Sequence, residues 1–304
     1  MNHAMTHLTR PSFLVALIFA LSVAAHAQGK NGFVGVWEEI GGTTAKGEPE
    51  SGNVGMRRIF TADGFYSIAF GRQCAGTQVV EKPLQELTKE QILERLRCVI
   101  AQDGSFTVDG DKLAITRRSA QAPQNVGTNQ VMQWKVENGQ LSLKILSDTG
   151  QAPVGQVTRY KRLTSQKQTN APFVGAWEEV RSTNAKGEEG HGNEGMRRIF
   201  TAEGFYSITF GRQCAGTQVV NIGFQQMTKD QALDRLRCII AQDGSFTVDG
   251  DKLNISRRSD NNPGNVGSKQ VMVWKVENGE LSLKIIANNN PITVGQTTYY
   301  KRLR

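Results

Sequence analysis

Histidine is scarce in this chain of 304 residues, which contains only four. Three of them lie within the first 27 residues, and the fourth, His191, has Ser51 at the equivalent place of the internal repeat described below. A histidine-based triad, a zinc site with histidine ligands or a histidine general base therefore cannot recur in both repeats. We expect neither a metal nor a cofactor.

Cysteine is also scarce, with four residues that could pair in three ways. The repeat matches Cys74 with Cys214 and Cys98 with Cys238. One bridge per repeat, Cys74–Cys98 and Cys214–Cys238, is the simplest arrangement if each repeat folds alone. Each bridge would close a loop of about 25 residues and stabilise the fold by about 3 kcal/mol in the chain-entropy model. Reduced thiols acting as nucleophiles or metal ligands are the alternative, which an even count in an exported protein disfavours.

No hydrophobic run favours a membrane span. A polar start containing Arg10 leads into an apolar run over 13–25, which ends in Ala25-His26-Ala27. A charged region, a short apolar region and an A-x-A cleavage site predict a signal peptide rather than an anchor. We therefore expect a periplasmic or secreted protein without stable membrane insertion; an uncleaved anchor is the alternative.

Concentrated basic patches are absent, although the formal net charge is +8. The basic residues form nothing longer than pairs such as Arg57-Arg58 and Lys161-Arg162. A nucleic-acid-binding protein would more often combine dense basic patches with stacking aromatic residues. We expect no nucleic-acid partner and interpret the charge as a solvated surface.

What the chain does contain is a long internal repeat. Residues 33–163 align with 173–303 at a constant offset of 140 without a gap, and GMRRIFTADGFYSI at 55–68 recurs as GMRRIFTAEGFYSI at 195–208. A period of this length indicates a duplicated domain, since solenoid units run to about 20–50 residues. The sequence predicts a signal peptide at 1–27, a first domain at 28–163, a polar linker at 164–172 and a second domain at 173–304.

Strand patterns dominate each module. In the first copy they predict eight strands, three pairs of which flank tight turns such as Glu137-Asn138-Gly139. One helix interrupts them, with Thr88 as N-cap, Gln91 completing a capping box and an apolar stripe beginning at Ile92. The expected fold class is all-β: two tandem eight-stranded antiparallel up-and-down barrels, each with one inserted helix. A two-sheet sandwich is the competing architecture.

Several motifs resemble the bacterial lipocalin-like domain family of the calycin superfamily. Gly35-Val36-Trp37 is similar to the G-x-W signature of the first strand. IFTADGFYSI, FTVDGDKLAITRRS and NVGTNQVMQWKVENGQLSLKI resemble the family's successive hairpins in the same order. The duplication and the cysteine pair depart from the family pattern. The resemblance implies a barrel that can hold one small ligand, with its closed end built on a tryptophan packed against a basic residue of the last strand: Trp37 with Arg162, and Trp177 with Arg302.

Alternation along the strands predicts which side chains face the barrel interior. Arg117 shares a face with apolar neighbours, so it either anchors an anionic ligand group, pairs with an internal acid or lies solvated at the rim. Trp134 is equally a pocket wall or plain core, and Tyr66 favours core. The strand phase leaves Arg58, Arg72 and their equivalents Arg198 and Arg212 free to face either way. The candidate ligand-binding residues are Tyr66, Arg117, Gln130, Met132 and Trp134, with their equivalents Tyr206, Arg257, Gln270, Met272 and Trp274.

Three functions are compatible with this sequence. The leading one is an exported monomer of two modules, each of which binds a small hydrophobic or amphiphilic ligand, with an anionic head group as one option. The second is a calycin-type isomerase or hydratase, which would need tyrosine or carboxylate chemistry because histidine is missing. The third is an envelope or interaction protein whose barrels are filled solid by aromatic and Met side chains. The near-identity of the modules predicts that they bind alike, if they bind.

Overall fold

The computed structural model describes residues 32–69, 84–164, 169–190, 192–209, 223–289 and 293–304. The predicted signal peptide, Cys74, Cys214, Arg72, Arg212, His191 and residues 165–168 of the predicted linker lie outside this set. Within it, Phe33–Arg304 form one compact unit.

The first module is a closed antiparallel barrel. Its strands follow chain order, and β1 pairs with β9 to close the ring, while the two-residue β2 adds only to the end of β1. The strands are β1 (Gly35–Thr43), β2 (Pro49–Glu50), β3 (Arg57–Phe60), β4 (Phe65–Ala69), β5 (Gln102–Asp109), β6 (Lys112–Ala120), β7 (Asn129–Glu137), β8 (Gln140–Asp148) and β9 (Val157–Leu163).

The second module repeats this topology strand for strand. Its strands are β10 (Gly175–Thr183), β11 (Glu189–Gly190), β12 (Arg197–Phe200), β13 (Phe205–Thr209), β14 (Gln242–Asp249), β15 (Lys252–Asp260), β16 (Lys269–Glu277), β17 (Glu280–Asn288) and β18 (Thr297–Arg302). Pairing of β10 with β18 closes this ring too. The predicted tandem eight-stranded barrels are confirmed, and the sandwich is excluded because first and last strands pair in each module.

Turn chemistry explains the shortest connections. Asn138 and Gly139 join β7 to β8 with φ angles of 50° and 73°, and Asn278 and Gly279 do the same for β16 and β17 with 51° and 79°. Asparagine and glycine tolerate positive φ, which matches the twist of a two-residue hairpin. These turns fix the register of the strands that follow.

Within the described residues, one α-helix lies between β4 and β5, α1 (Lys89–Cys98), and one lies between β13 and β14, α2 (Lys229–Cys238). Thr88 and Gln91 form the predicted capping box at the start of α1, with both reciprocal hydrogen bonds present. Neither helix, nor any other within the described ranges, combines the length and apolar character needed to cross a membrane.

The register divides each barrel into two different ends. Gly35 at the start of β1 pairs with Phe60 at the end of β3, beside the tight turns that close β3–β4, β5–β6 and β7–β8. We call this the short-turn end. The connections at the opposite end, the long-loop end, include residues 44–56 and 70–101.

Candidate functional site

Aromatic side chains fill the short-turn end of the first barrel. The Phe33 ring lies 5.2 Å from that of Phe60 and 5.0 Å from that of Trp134, measured between centroids. Trp37 Nε1 donates to Phe33 O at 2.6 Å, and the Arg162 guanidinium lies 5.5 Å from the Trp37 ring centroid. These contacts make this end a packed plug.

The second barrel contains the same plug. Phe173 lies 5.0 Å from both Phe200 and Trp274, and the Arg302 guanidinium lies 5.0 Å from the Trp177 ring centroid. A cation over an indole contributes about 0.5–2 kcal/mol and shields the ring from water. Both Trp–Arg pairs therefore stabilise a closed end of the barrel.

Arg58 lies in the middle of the first barrel among apolar side chains. It is the register partner of Trp37 and Ile68, and only 8% of it is exposed. Its guanidinium lies 5.4 Å from the Tyr160 ring centroid, and Nη1 contacts Met132 Sδ at 3.8 Å. No carboxylate of the described residues lies within 4.0 Å of this guanidinium, and its Nε has no hydrogen-bond partner there.

Arg198 repeats this arrangement in the second barrel. It is 8% exposed, its Nη1 lies 3.9 Å from Met272 Sδ, and its guanidinium lies 5.4 Å from the Tyr300 ring centroid. Its Nε likewise has no partner among the described residues. Burial raises the pKa of Tyr300 to about 12, while the charge of Arg198 opposes the rise. A buried arginine that has no carboxylate within 4.0 Å among the described residues is therefore a feature of the module and recurs in both copies.

Glu39 is the buried acid whose charge interacts with that of Arg58, but its carboxylate is hydrogen-bonded to Asn53. Glu39 is 3% exposed and accepts a hydrogen bond from Asn53 N at 2.5 Å. Burial raises the pKa of Glu39, whereas the Asn53 hydrogen bond and the Arg58 charge act in the opposite direction. The charge of Arg58 is therefore compensated only at a distance.

Arg117 lies nearer the long-loop end, and its charge is balanced within the barrel. It is 4% exposed, and Nη1 donates to Asp148 Oδ1 at 2.6 Å and to Thr128 Oγ1 at 2.7 Å. The sequence left three arrangements open for Arg117, and the structure contains the one in which Arg117 pairs with an internal acid, Asp148.

Arg257 is balanced by a different acid. Its Nη1 donates to Ser268 Oγ at 2.7 Å and to Asn288 Oδ1 at 3.2 Å, while Nε lies 3.9 Å from Asp260 Oδ2. Asn288 is the equivalent of Asp148, and Asp260 is the equivalent of Ala120. The second copy thus lacks one acid and has gained another beside the same arginine.

The remaining candidate residues occupy separate levels of the barrel. Gln130 lies near the long-loop end as the register partner of Asp148. Tyr66 is fully buried, its hydroxyl has no partner among the described residues, and burial raises its pKa well above the ordinary range. Trp134 belongs to the plug, where Nε1 donates to Gly110 O at 3.1 Å. Met132, between these levels, contacts Arg58.

The equivalent residues of the second barrel occupy the same positions, with one difference in hydrogen bonding. The Tyr206 hydroxyl donates to Gln242 Oε1 at 3.1 Å, whereas that of Tyr66 is unpaired among the described residues. Gln270 and Met272 are buried like their equivalents, and Trp274 packs on Phe173. The ligand-binding role of all ten predicted residues stays a prediction, as do the two disulfides, because Cys74 and Cys214 lie outside the described residues.

Sequence reasoning left the orientation of Arg58 open. One signal could have fixed it: Arg58 lies two residues before Phe60, so the two side chains share a strand face, and a large aromatic residue belongs inside. Arg57 then faces the other way. Within the described residues no group of three or more His, Cys, Asp or Glu side chains could hold a metal ion.

Comparisons with known proteins found no matching family model and no matching curated protein. Among solved structures, the crystal structure of a point mutant of the fluorescent protein UnaG is 15% identical, with a TM-score of 0.23, covering 43% of this chain and 96% of that one. The REP1-NXSQ fatty acid transporter is 11% identical, with a TM-score of 0.14, covering 58% of this chain and 72% of that one. These likenesses are too weak to carry a functional assignment, and the fold stands on its own strand pairing.

Proposed function

We propose that each barrel binds one small amphiphilic molecule, with an apolar body in the interior and an anionic group on the buried arginine, Arg58 in the first barrel and Arg198 in the second. The observation that carries this proposal is a guanidinium that is buried in both copies and has no carboxylate within 4.0 Å among the described residues.

The physical argument is the cost of burying a charge that lacks a close partner. After relaxation, an ion removed from water still costs several kcal/mol unless it is paired and hydrogen-bonded. Contact with the Tyr160 ring recovers about 0.5–2 kcal/mol, and a thioether such as that of Met132 is only a weak acceptor. A carboxylate of a bound molecule would supply the missing partner, and the planar guanidinium suits two parallel hydrogen bonds to it.

The surroundings of Arg58 favour a ligand that is otherwise apolar. Arg58 shares the barrel with a cluster of apolar side chains, which includes Ile68, Leu113, Ile115, Met132, Leu143 and Ile145. Such a lining, with a few placed polar groups, is typical of sites for small hydrophobic molecules. Arg117 is less suited to be the anchor because Asp148 already neutralises it.

A filled, purely structural barrel is the second candidate. The aromatic plug favours it, since the rings of Phe33, Phe60 and Trp134 pack together at the short-turn end. In that case Arg58 would remain buried at a net cost and the chain would act through its surface. The two candidates differ in whether a small molecule binds.

Export is part of the proposal. The apolar run at 13–25 followed by Ala25-His26-Ala27 supports cleavage before Gln28, so the mature chain would act in the periplasm or outside the cell. The intact mass of the chain recovered from the periplasm and medium of an expressing bacterium tests this. Recovery of the uncleaved chain from the cytoplasm alone would contradict it.

The binding test compares two probes of equal chain length, dodecanoate and dodecanol, by calorimetric titration of the mature chain. We expect about two molecules of dodecanoate per chain and weaker binding of dodecanol. The double variant Arg58→Met, Arg198→Met should lose about 10–100-fold in dodecanoate affinity, because a hydrogen bond to a charged group is worth about 1.5–3 kcal/mol. Its affinity for dodecanol should change by less than about twofold, since the apolar contacts remain.

The matched control is Arg159→Met, which removes an exposed arginine of β9 and should leave both affinities unchanged. Stability without ligand provides a second readout. Replacement of an uncompensated buried ion by a packed hydrophobic residue is often stabilising by about 1–4 kcal/mol, so the double variant should unfold at higher urea. If the double variant lost as much affinity for dodecanol as for dodecanoate, the arginines would not anchor the anionic group. Absence of any binding by the unmodified chain would favour the filled barrel.

A further inference from the structure

The two barrels pack against each other through the same residues of both. Ser67 Oγ donates to Ser207 Oγ at 2.9 Å, and both serines are 1% exposed. Ser207 is the repeat equivalent of Ser67. A residue that contacts its own equivalent lies on a two-fold axis, because only there do the two positions meet.

Polar contacts around this axis come in reciprocal pairs. Arg118 Nη1 donates to Gly195 O at 2.9 Å, and its equivalent Arg258 Nη1 donates to Gly55 O at 2.9 Å. This contact of the first module with the second is therefore repeated, with the same length, by the second module with the first. Reciprocity of this kind defines an isologous interface.

Charged and aromatic side chains follow the same rule. Arg57 Nη1 lies 3.8 Å from Asp243, and the Arg57 guanidinium lies 5.1 Å from the Phe205 ring centroid. In return, Arg197 Nη1 lies 3.7 Å from Asp103, and its guanidinium lies 5.4 Å from the Phe65 ring centroid. Asp103 and Asp243 are almost fully buried, so these ion pairs are shielded from solvent.

The helices extend the interface with an apolar cluster that is separate from both barrel interiors. This shared helix cluster contains equivalent residues from both modules: Leu87, Ile92, Leu93, Leu96, Val99 and Ala101 of the first, and Met227, Ala232, Leu233, Leu236, Ile239 and Ala241 of the second. Neither helix stripe belongs to the cluster of its own barrel. Each helix thus buries its apolar stripe on the other helix.

We infer that the face formed by β3, β4 and the helix of each module is a self-complementary docking surface whose partner is a second copy of the same module. Either module pairs with the other in this chain, and each also fits a copy of itself. Separated modules therefore form three kinds of pair: first with first, first with second, and second with second.

The residues at the interface support pairing between identical modules. Gly55, Arg57, Ser67, Asp103 and Arg118 are identical to their equivalents, so a pair of identical modules reproduces their contacts. Two apolar positions of the interface differ in size, because Ile92 and Val36 have Ala232 and Ala176 as their equivalents. A polar difference is Thr209, whose hydroxyl donates to Asp103 Oδ2 at 2.6 Å and whose equivalent is Ala69.

That difference does not prevent a pair of first modules. Asp243, whose cross-module neighbour is Ala69, accepts instead from the Ser259 hydroxyl of its own module. The equivalent Ser119 is buried, and its hydroxyl, unpaired among the described residues, is available to Asp103 in the same way. A pair of first modules therefore retains an acceptable hydrogen-bond set.

The test uses the whole mature chain with a protease site placed at 165–168. The chain is cut, unfolded in urea with its disulfides kept oxidised, and refolded by dilution. Native mass spectrometry then separates the three pairs, since the two halves differ in mass. An isologous surface predicts all three pairs, with the mixed pair near its statistical half. Mixed pairs alone, or folded single halves, would overturn the inference, and so would halves that no longer fold.

A second variant tests whether pairing of the modules depends on the contact at the two-fold axis. The double variant Ser67→Arg, Ser207→Arg places two buried cations against each other. All three pairs should then dissociate at least about 100-fold more readily, because like charges in a buried contact are costly. Thr107→Arg with Thr247→Arg is the matched control, because both threonines are exposed in the paired molecule. Equal weakening by the control, or undiminished pairing of the Ser67 variant, would also overturn the inference.

Discussion

At the scale of single residues, the two buried arginines inside the first barrel differ in their partners. Near the long-loop end of the first barrel Arg117 has Asp148, whereas Arg58 in the middle has no comparable partner among the described residues. In the second copy the acid beside Arg257 has moved from the position of Asp148 to Asp260. The charge balance of this arginine is thus kept by a different residue in each barrel, which indicates that its pairing matters more than the strand that supplies the acid.

Glu39 and Glu179 make stability depend on pH. Burial raises the pKa of both carboxyls above the ordinary value of 4.5, so the native state binds more protons than the unfolded state above that value. Linkage then requires the free energy of unfolding to fall as pH rises from 4.5 through the native-state pKa values. Urea unfolding at a series of pH values should show this fall.

Glu39→Gln with Glu179→Gln tests the assignment, because glutamine retains an acceptor for Asn53 and Asn193 but does not titrate. We expect a flatter pH profile over the same window. Glu94→Gln with Asp234→Asn, at exposed positions of the helices, is the control and should leave the slope unchanged. An unaltered slope in the Glu39 variant would assign the dependence to other groups.

Alternation alone left open which arginine of β3 is buried, and the reason is physical. Alternation correctly placed Arg117, Gln130, Met132 and Trp134 on the interior face, because long strands show their period clearly. β3 has only four residues, three of which are buried, so its period is obscured. Arg57 and Arg58 are adjacent and chemically equal, so the spacing from Arg58 to Phe60 was the one signal, and the pairing with Trp37 shows that Arg58 faces inward.

At the scale of elements, α1 and α2 are amphipathic helices, and the apolar stripe of each packs against the other helix rather than against its own barrel. Leu96 is fully buried in the shared helix cluster, and Leu236 is its equivalent. Leu96→Ala with Leu236→Ala should lower the free energy of unfolding by about 2–5 kcal/mol per site, since cavities in a packed core are costly. Urea unfolding measures the loss.

The matched control changes the opposite face of the same helices. Glu94→Ala with Asp234→Ala should stay within about 0.5 kcal/mol of the unmodified chain. A loss below about 1 kcal/mol for the Leu96 variant would mean that the helices contribute little to the packing. The sequence predicted the helix, its cap and its stripe, but periodicity shows only that a face is buried and cannot show what covers it.

At the scale of the whole molecule, two strands serve both the interior and the interface. Along β3 and β4, Arg58 and Tyr66 face the barrel, while Arg57, Phe65 and Ser67 contact the second module. Because the same short strands carry both sets, the barrels should unfold together. We expect one calorimetric transition whose measured enthalpy equals the van't Hoff enthalpy.

Disruption of the axis should separate the two barrels. In the variant Ser67→Arg, Ser207→Arg, the ratio of calorimetric to van't Hoff enthalpy should rise from about 1 toward about 2, because each barrel then unfolds alone. The Thr107→Arg, Thr247→Arg control should keep the single transition. Two transitions in the unmodified chain would show that the interface does not couple the barrels.

The short stretch between β9 and β10 has a consequence for how the pair behaves on dilution. Two separate modules would associate according to their concentration, so dilution would separate them. A short covalent tether instead holds each module at an effective concentration of about millimolar beside the other. The duplication thereby turns a concentration-dependent dimer into a unit of fixed stoichiometry, in which both barrels are present and paired in every molecule.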